Sequence, residues 1–207
     1  MTLCRCIGFK AGLRIRKSAA FTTKSWWTDH QSQGEHLQNF AQGGTGNTVG
    51  SEDARIDRVA KTYGLAPGLT FNKGLGAAGF TKPLDPSKQP TDFSQINREL
   101  GPLALAGSEA RLAVAIRHEN EHASRYVAGE YNYKLSTTDA DVLAARGHSI
   151  HAQIFANDAA FAKNIGVAAN VVLSLERQSA SFAQQSRQAE ERILTKVTAG
   201  CGSSLCL

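Results

Sequence analysis

His118-Glu119-Asn120-Glu121-His122 fits the pattern H-E-x-x-H, and its reading decides how the rest of the chain is taken. On a helix of about 3.6 residues per turn, side chains four apart point the same way. Two imidazoles can then grip one metal ion, and the Glu between them can reach a water on that ion. The flanking residues predict a helix over about 108–127. Ser108 can cap its start, Glu109 suits the positive end of its dipole, and Gly129 can end it. Leu112, Ala115, Ile116, Glu119, Ala123 and Tyr126 share one side, with His118 and His122 at that side's edge.

This stretch resembles the zincin metallopeptidases, whose active-site helix carries H-E-x-x-H. The resemblance covers about ten residues around Ile116–Ser124. It implies that His118 and His122 bind Zn2+ and that Glu119 is the general base. Two positions depart from the family's stricter pattern: Glu121 is charged, and Ser124 is polar where an apolar residue is usual. Zinc also needs a third protein ligand, leaving a fourth place for water. The next predicted helix, about 138–163, offers His148 and His151, with Leu143, Gly147, Ile150, Ile154 and Phe161 marking its buried face. His151 lies nearer that face and is the first choice, then His148, then Asp158. Many zincins use a Glu here, and only Glu130 could supply one. His148 and His151 can alternatively orient a ligand through its other ring nitrogen. Tyr126, Tyr131 and Tyr133 are candidate oxyanion donors. Arg117 and Arg125 are placed to pair with Glu121.

Upstream, a helix is predicted over 51–63, capped by Ser51, with Ile56, Val59, Ala60 and Tyr63 as its apolar stripe. Residues 64–92 read as a long irregular segment with one short strand near 69–71. Gly74-Leu75-Gly76-Ala77-Ala78-Gly79 matches G-x-G-x-x-G, but Pro83 bars the helix a dinucleotide site needs. Residues 93–100 read as a helix. The last helix, about 167–197, carries a seam of Val172, Leu175, Ser179, Phe182, Ser186, Ala189 and Ile193. That seam suits packing along the body, and a dimeric coiled coil is the alternative.

The 207 residues fit one domain with appendages. The expected division is a basic, then Gln/Gly-rich leader over 1–50, a single helical domain over 51–198, and a tail over 199–207. Trp26-Trp27 is expected to dock on the body. Residues 1–24 hold six basic residues and no acid, so a formal net charge of +5 leaves the rest of the chain at −1. Basicity confined to a tail argues against a nucleic-acid-binding domain. No apolar run approaches the roughly 18 residues of a membrane span. Cys4, Cys6, Cys201 and Cys206 sit only at the ends, and their spacing is a poor match to zinc knuckles.

These readings predict a mainly α protein with minor strand content and a zincin-like helical core. The expected function is zinc-dependent hydrolysis of a protein or peptide substrate. The leader suggests a soluble secreted or translocated effector or toxin. Two alternatives stand: an α-helical interaction module, oligomeric through the last helix, and a zinc amidase acting on cell-wall peptides.

Overall fold

The computed structural model describes residues 49–202. Trp26-Trp27, Cys4, Cys6, Cys206 and all but the last two residues of the expected leader lie outside them. The chain is mainly helical, with one small sheet. In order, it forms α1 (Val49–Thr62), β1 (Thr70–Phe71), β2 (Gly79–Pro83), a 3-10 turn (Phe93–Gln95) and β3 (Ile96–Leu100). There follow α2 (Pro102–Leu105), α3 (Glu109–Val127), α4 (Tyr133–Ser136), α5 (Ala140–Asn164) and α6 (Ala169–Gly202).

Helix α1 begins two residues before the expected start, so Ser51 lies inside it instead of capping it. Ile56, Val59 and Ala60 bury its stripe. Its acids then fix the next segment. Asp53 accepts from the Phe71 amide at 2.6 Å and Asp57 from the Gly68 amide at 3.1 Å, which brings β1 alongside.

The sheet is larger than expected, with strand order β1-β3-β2. Strand β3 pairs in parallel with β1 and antiparallel with β2, setting Thr81 opposite Arg98. The helix expected over 93–100 is therefore corrected. Asp92 caps only a 3-10 turn, and Ile96, Arg98 and Leu100 then alternate inward, a period of two that suits a strand. The glycine-rich run ends in β2, and no helix follows it. Arg98 is buried and reaches the Asn120 side-chain oxygen and the Pro67 carbonyl (2.8 Å), with its guanidinium over Phe93. This strut holds α3 under the sheet, with Glu119 beside β2.

Helix α3 matches the expected span. The Ser108 hydroxyl accepts from the Arg111 amide at 3.3 Å, and Gly129 ends the helix at φ +76°, a conformation that favours glycine. One face packs under the sheet through Leu112, Ala115 and Ile116. Val114 instead joins Phe155, Ala159, Val171 and Leu175 of the antiparallel α5–α6 pair. That pair is joined through Gly166 at φ +73°. Its seam is close-packed: Ser179 donates to the Ala152 carbonyl at 2.7 Å and Ser186 to that of Ala145 at 2.9 Å. The expected seam thus packs along the body, and α6 runs on to Gly202, beyond the expected end. Among the described residues, no helix is long and apolar enough to cross a membrane.

Candidate metal centre

His118 and His122 converge. One helical turn apart on α3, they place Nε2 within 3.2 Å of Nε2. Two imidazoles on one tetrahedral zinc, each about 2.0–2.1 Å from it, hold their nitrogens about 3.3 Å apart. The spacing is that of neighbouring ligands.

Each ring is fixed from behind. His118 Nδ1 donates to Asp158 Oδ2 at 2.7 Å, and Asp158 Oδ1 accepts from Arg117 at 2.6 Å. Asp158 is fully buried. His122 Nδ1 lies 2.6 Å from the Tyr131 hydroxyl. Asp158, His118, His122 and Tyr131 therefore form one hydrogen-bonded chain through α3. Burial opposes charge on His118, but the Asp158 carboxylate outweighs it and raises the imidazole above its ordinary value. Burial pushes His122 down to about 2, helped by repulsion from His118 and His151. In this state a proton on His118 Nε2 bridges to the lone pair of His122, the place where an ion would sit.

His151, on α5, comes next to this pair. Its ring centre is 4.9 Å from that of His122. Its Nδ1 donates to the Gly147 carbonyl at 2.8 Å, so Nε2 keeps its lone pair. Phe182 of α6 stacks on the ring at 5.1 Å and also on Phe155. Burial lowers His151 below its ordinary value, which keeps it neutral and able to ligate.

The structure gives the other third-ligand candidates different partners. Asp158 is occupied by His118 and Arg117, so it orients a ring from behind. Glu130 is drawn off by Arg125 at 2.6 Å. His148 lies against Phe182, its ring centre 5.7 Å from that of the phenylalanine. Among the described residues, no three His, Cys, Asp or Glu groups form a ready-made metal cage. The donor set fits zinc as a two-nitrogen chelate with a neutral imidazole beside it.

Glu119 projects beside β2. It is 5% exposed, and its Oε2 accepts from the Thr81 hydroxyl at 2.7 Å. A Cβ on Gly79 would collide with Oε1 and stand 2.6 Å from Cδ. Burial raises the Glu119 carboxyl above its ordinary value, which moves a base toward neutral pH. The sequence did not flag Gly79, Thr81 or Asp158 in these roles. The lone usable cue was Gly79 ending a glycine run just before alternating residues.

The departure at Glu121 has a local cause, since it pairs with Arg125 (3.1 Å) and Arg117 (3.7 Å), as expected for those arginines. Of the candidate oxyanion donors, Tyr131 sets its hydroxyl against His122 Nδ1 and Tyr126 sets its own against Lys134. No family model matches the sequence, and no curated protein or solved structure matches it significantly.

Proposed function

We propose that this chain is a zinc-dependent hydrolase of peptide bonds. The observation that carries the reading is the His118–His122 nitrogen pair at 3.2 Å, with both rings fixed from behind and Glu119 on the same helix. His118, His122 and His151 would hold the ion. Bound zinc supplies Lewis acidity toward a carbonyl oxygen and toward water.

The protein's own groups do the rest. Asp158 and Tyr131 keep the two Nε2 atoms aimed inward. Glu119 takes a proton from the attacking water and delivers it to the leaving amine. Its burial makes the protonated form easy to reach, and Thr81 holds the carboxylate in place. The outer edge of β2 carries no strand partner in this sheet, so an extended peptide can align along it next to Glu119. Secretion or translocation as an effector or toxin stays part of this proposal, resting on composition alone.

A second reading is favoured by one observation. The polar chain from Asp158 to Tyr131 satisfies itself without an ion, as a structural network in a helical interaction module would. Metal analysis separates the two. The hydrolase reading expects about one zinc per chain in the purified protein, lost in His122→Ala and weakened in His151→Ala. It also expects Glu119→Gln to keep the metal and lose cleavage of a peptide panel that includes cell-wall peptides. Wild-type protein that stays metal-free in excess zinc and folds equally well would decide for the module.

A further inference from the structure

Three cationic side chains border the imidazole cluster, and acids neutralise two of them. Arg117 is paired with Asp158, and Arg125 with Glu121 and Glu130. Lys134, on α4, has no carboxylate partner among the described residues. Glu130, the acid nearest in sequence, is already taken.

The Lys134 ammonium is nevertheless held in place. It donates to the Tyr126 hydroxyl at 3.3 Å and lies 4.5 Å from the centre of the Tyr131 ring and 5.5 Å from that of Tyr126. Those two rings stack at 4.1 Å, and the Tyr131 hydroxyl touches His122. An ordered cation thus stands one side chain away from the imidazole pair. Its side chain is exposed, and after Tyr126 two of its three N–H donors are left.

A dication at the imidazoles would sit beside this uncompensated charge. Excess positive potential in a site draws an anion to it. A lone ammonium without an arginine fork or a cradle of backbone amides suits a carboxylate better than a phosphate. Resting on the hydrolase reading, we propose that Lys134 is the substrate-binding cation of this site and takes a carboxylate of the peptide. That carboxylate belongs either to a free C-terminus or to an Asp or Glu side chain.

The test compares matched peptides with zinc-loaded wild type and Lys134→Met, whose side chain keeps length and apolar contact with the tyrosines. One pair differs in a C-terminal acid or amide, the other in an internal Asp or Asn. Wild type is expected to favour the acid member of one pair through KM, and which pair responds identifies the source. Lys134→Met should raise KM for that acid peptide about tenfold, the size of one charged hydrogen bond, and erase the preference. A readout free of turnover is the NMR shift of the Lys134 ε-methylene when the acid peptide is titrated into Glu119→Gln, with and without zinc. Saturable movement with the acid and none with its neutral partner supports the assignment. Equal treatment of acid and neutral peptides, or an unmoved Lys134 resonance, overturns it and leaves the hydrolase reading standing. A protein that takes up no zinc and cleaves neither pair overturns the hydrolase reading, and the zinc-free titration still decides Lys134.

Discussion

Gly79 and Glu119 occupy the same space: a Cβ at residue 79 would stand 2.6 Å from the Glu119 Cδ and 2.8 Å from its Cγ. The strand can pass over the carboxylate only because residue 79 has no side chain. Gly79→Ala must move the strand or the Glu, and Glu119 is pinned by Thr81. We expect Gly79→Ala to cost about 1–3 kcal/mol of stability, as overpacking does. Turnover should fall more than zinc binding, because the strained atom belongs to the proposed base and the proposed ligands lie elsewhere. Thr81→Val removes the hydrogen bond without overpacking, and Thr81→Ser restores it. A kcat loss of about tenfold in Thr81→Val, recovered in Thr81→Ser, is the expected pattern. Steady-state kinetics beside zinc analysis check both variants, and a wild-type kcat in Thr81→Val would remove Thr81 from the account of the base.

Asp158 is the second position with a sharp expectation. It is fully buried and divides its two oxygens between His118 and Arg117. Asp158→Asn keeps the shape but weakens the acceptor that fixes the His118 ring. Changes to such orienting partners cost about 10–100-fold in metal affinity. The same variant leaves the partly buried Arg117 without its 2.6 Å carboxylate, so stability should also fall by at least about 1 kcal/mol. Competition with a chelating dye and a denaturant melt measure the two effects. Unchanged zinc affinity would show that His118 does not ligate through Nε2.

Glu119 gives a pH dependence of definite sign. Burial raises its folded-state pKa above the ordinary carboxyl value. The folded chain therefore holds this proton more tightly than the unfolded chain does. The stability that follows is complete below the unfolded value, about 4.3, and is lost as pH rises through the folded value. At neutral pH the buried Glu119 carboxyl thus burdens the fold. In zinc-free protein, Glu119→Gln should melt about 2–4 °C higher than wild type near pH 7, corresponding to about 1 kcal/mol, and the gap should close toward pH 4. Thermal scans across pH 4–8 in chelator test this, and a lower melting point for the variant at pH 7 would refute it.

The motif helix was legible because its signals are local. Ser108, the i and i+4 imidazoles and Gly129 each act within a turn of helix. The pairing of Arg117 and Arg125 with Glu121 was legible for the same reason. The sheet was not. Strand β3 is five residues whose inward set includes a charged Arg98, so its alternation reads as polar until Asn120 and Pro67 are seen to satisfy the guanidinium. Likewise Asp158 lies 40 residues from His118, and no helical periodicity predicts that it meets the ring from behind. The nearness of His151 to His122 was expected, whereas its support by Phe182 depends on the α5–α6 packing, which only the fold supplies.

That support leads to the last prediction. Phe182 stacks on His151 at 5.1 Å and on Phe155 at 5.6 Å with nearly parallel planes. It therefore ties the neutral imidazole to the core shared by α3, α5 and α6. Phe182→Ala leaves a gap beside His151 and frees the ring to turn about its single bond to Gly147. Because Phe182 is only partly buried, the stability cost should fall below the roughly 3–5 kcal/mol of a fully buried Phe→Ala change. Zinc affinity should fall as well, since a third ligand that must be ordered on binding binds less well than one held ready. Phe182→Leu refills part of the gap without the flat stacking face, so it should recover stability more than zinc affinity. Calorimetry of zinc binding beside thermal melts separates the two effects. If both variants bind zinc as tightly as wild type while losing stability, Phe182 is a packing residue alone and His151 has no part in holding the ion.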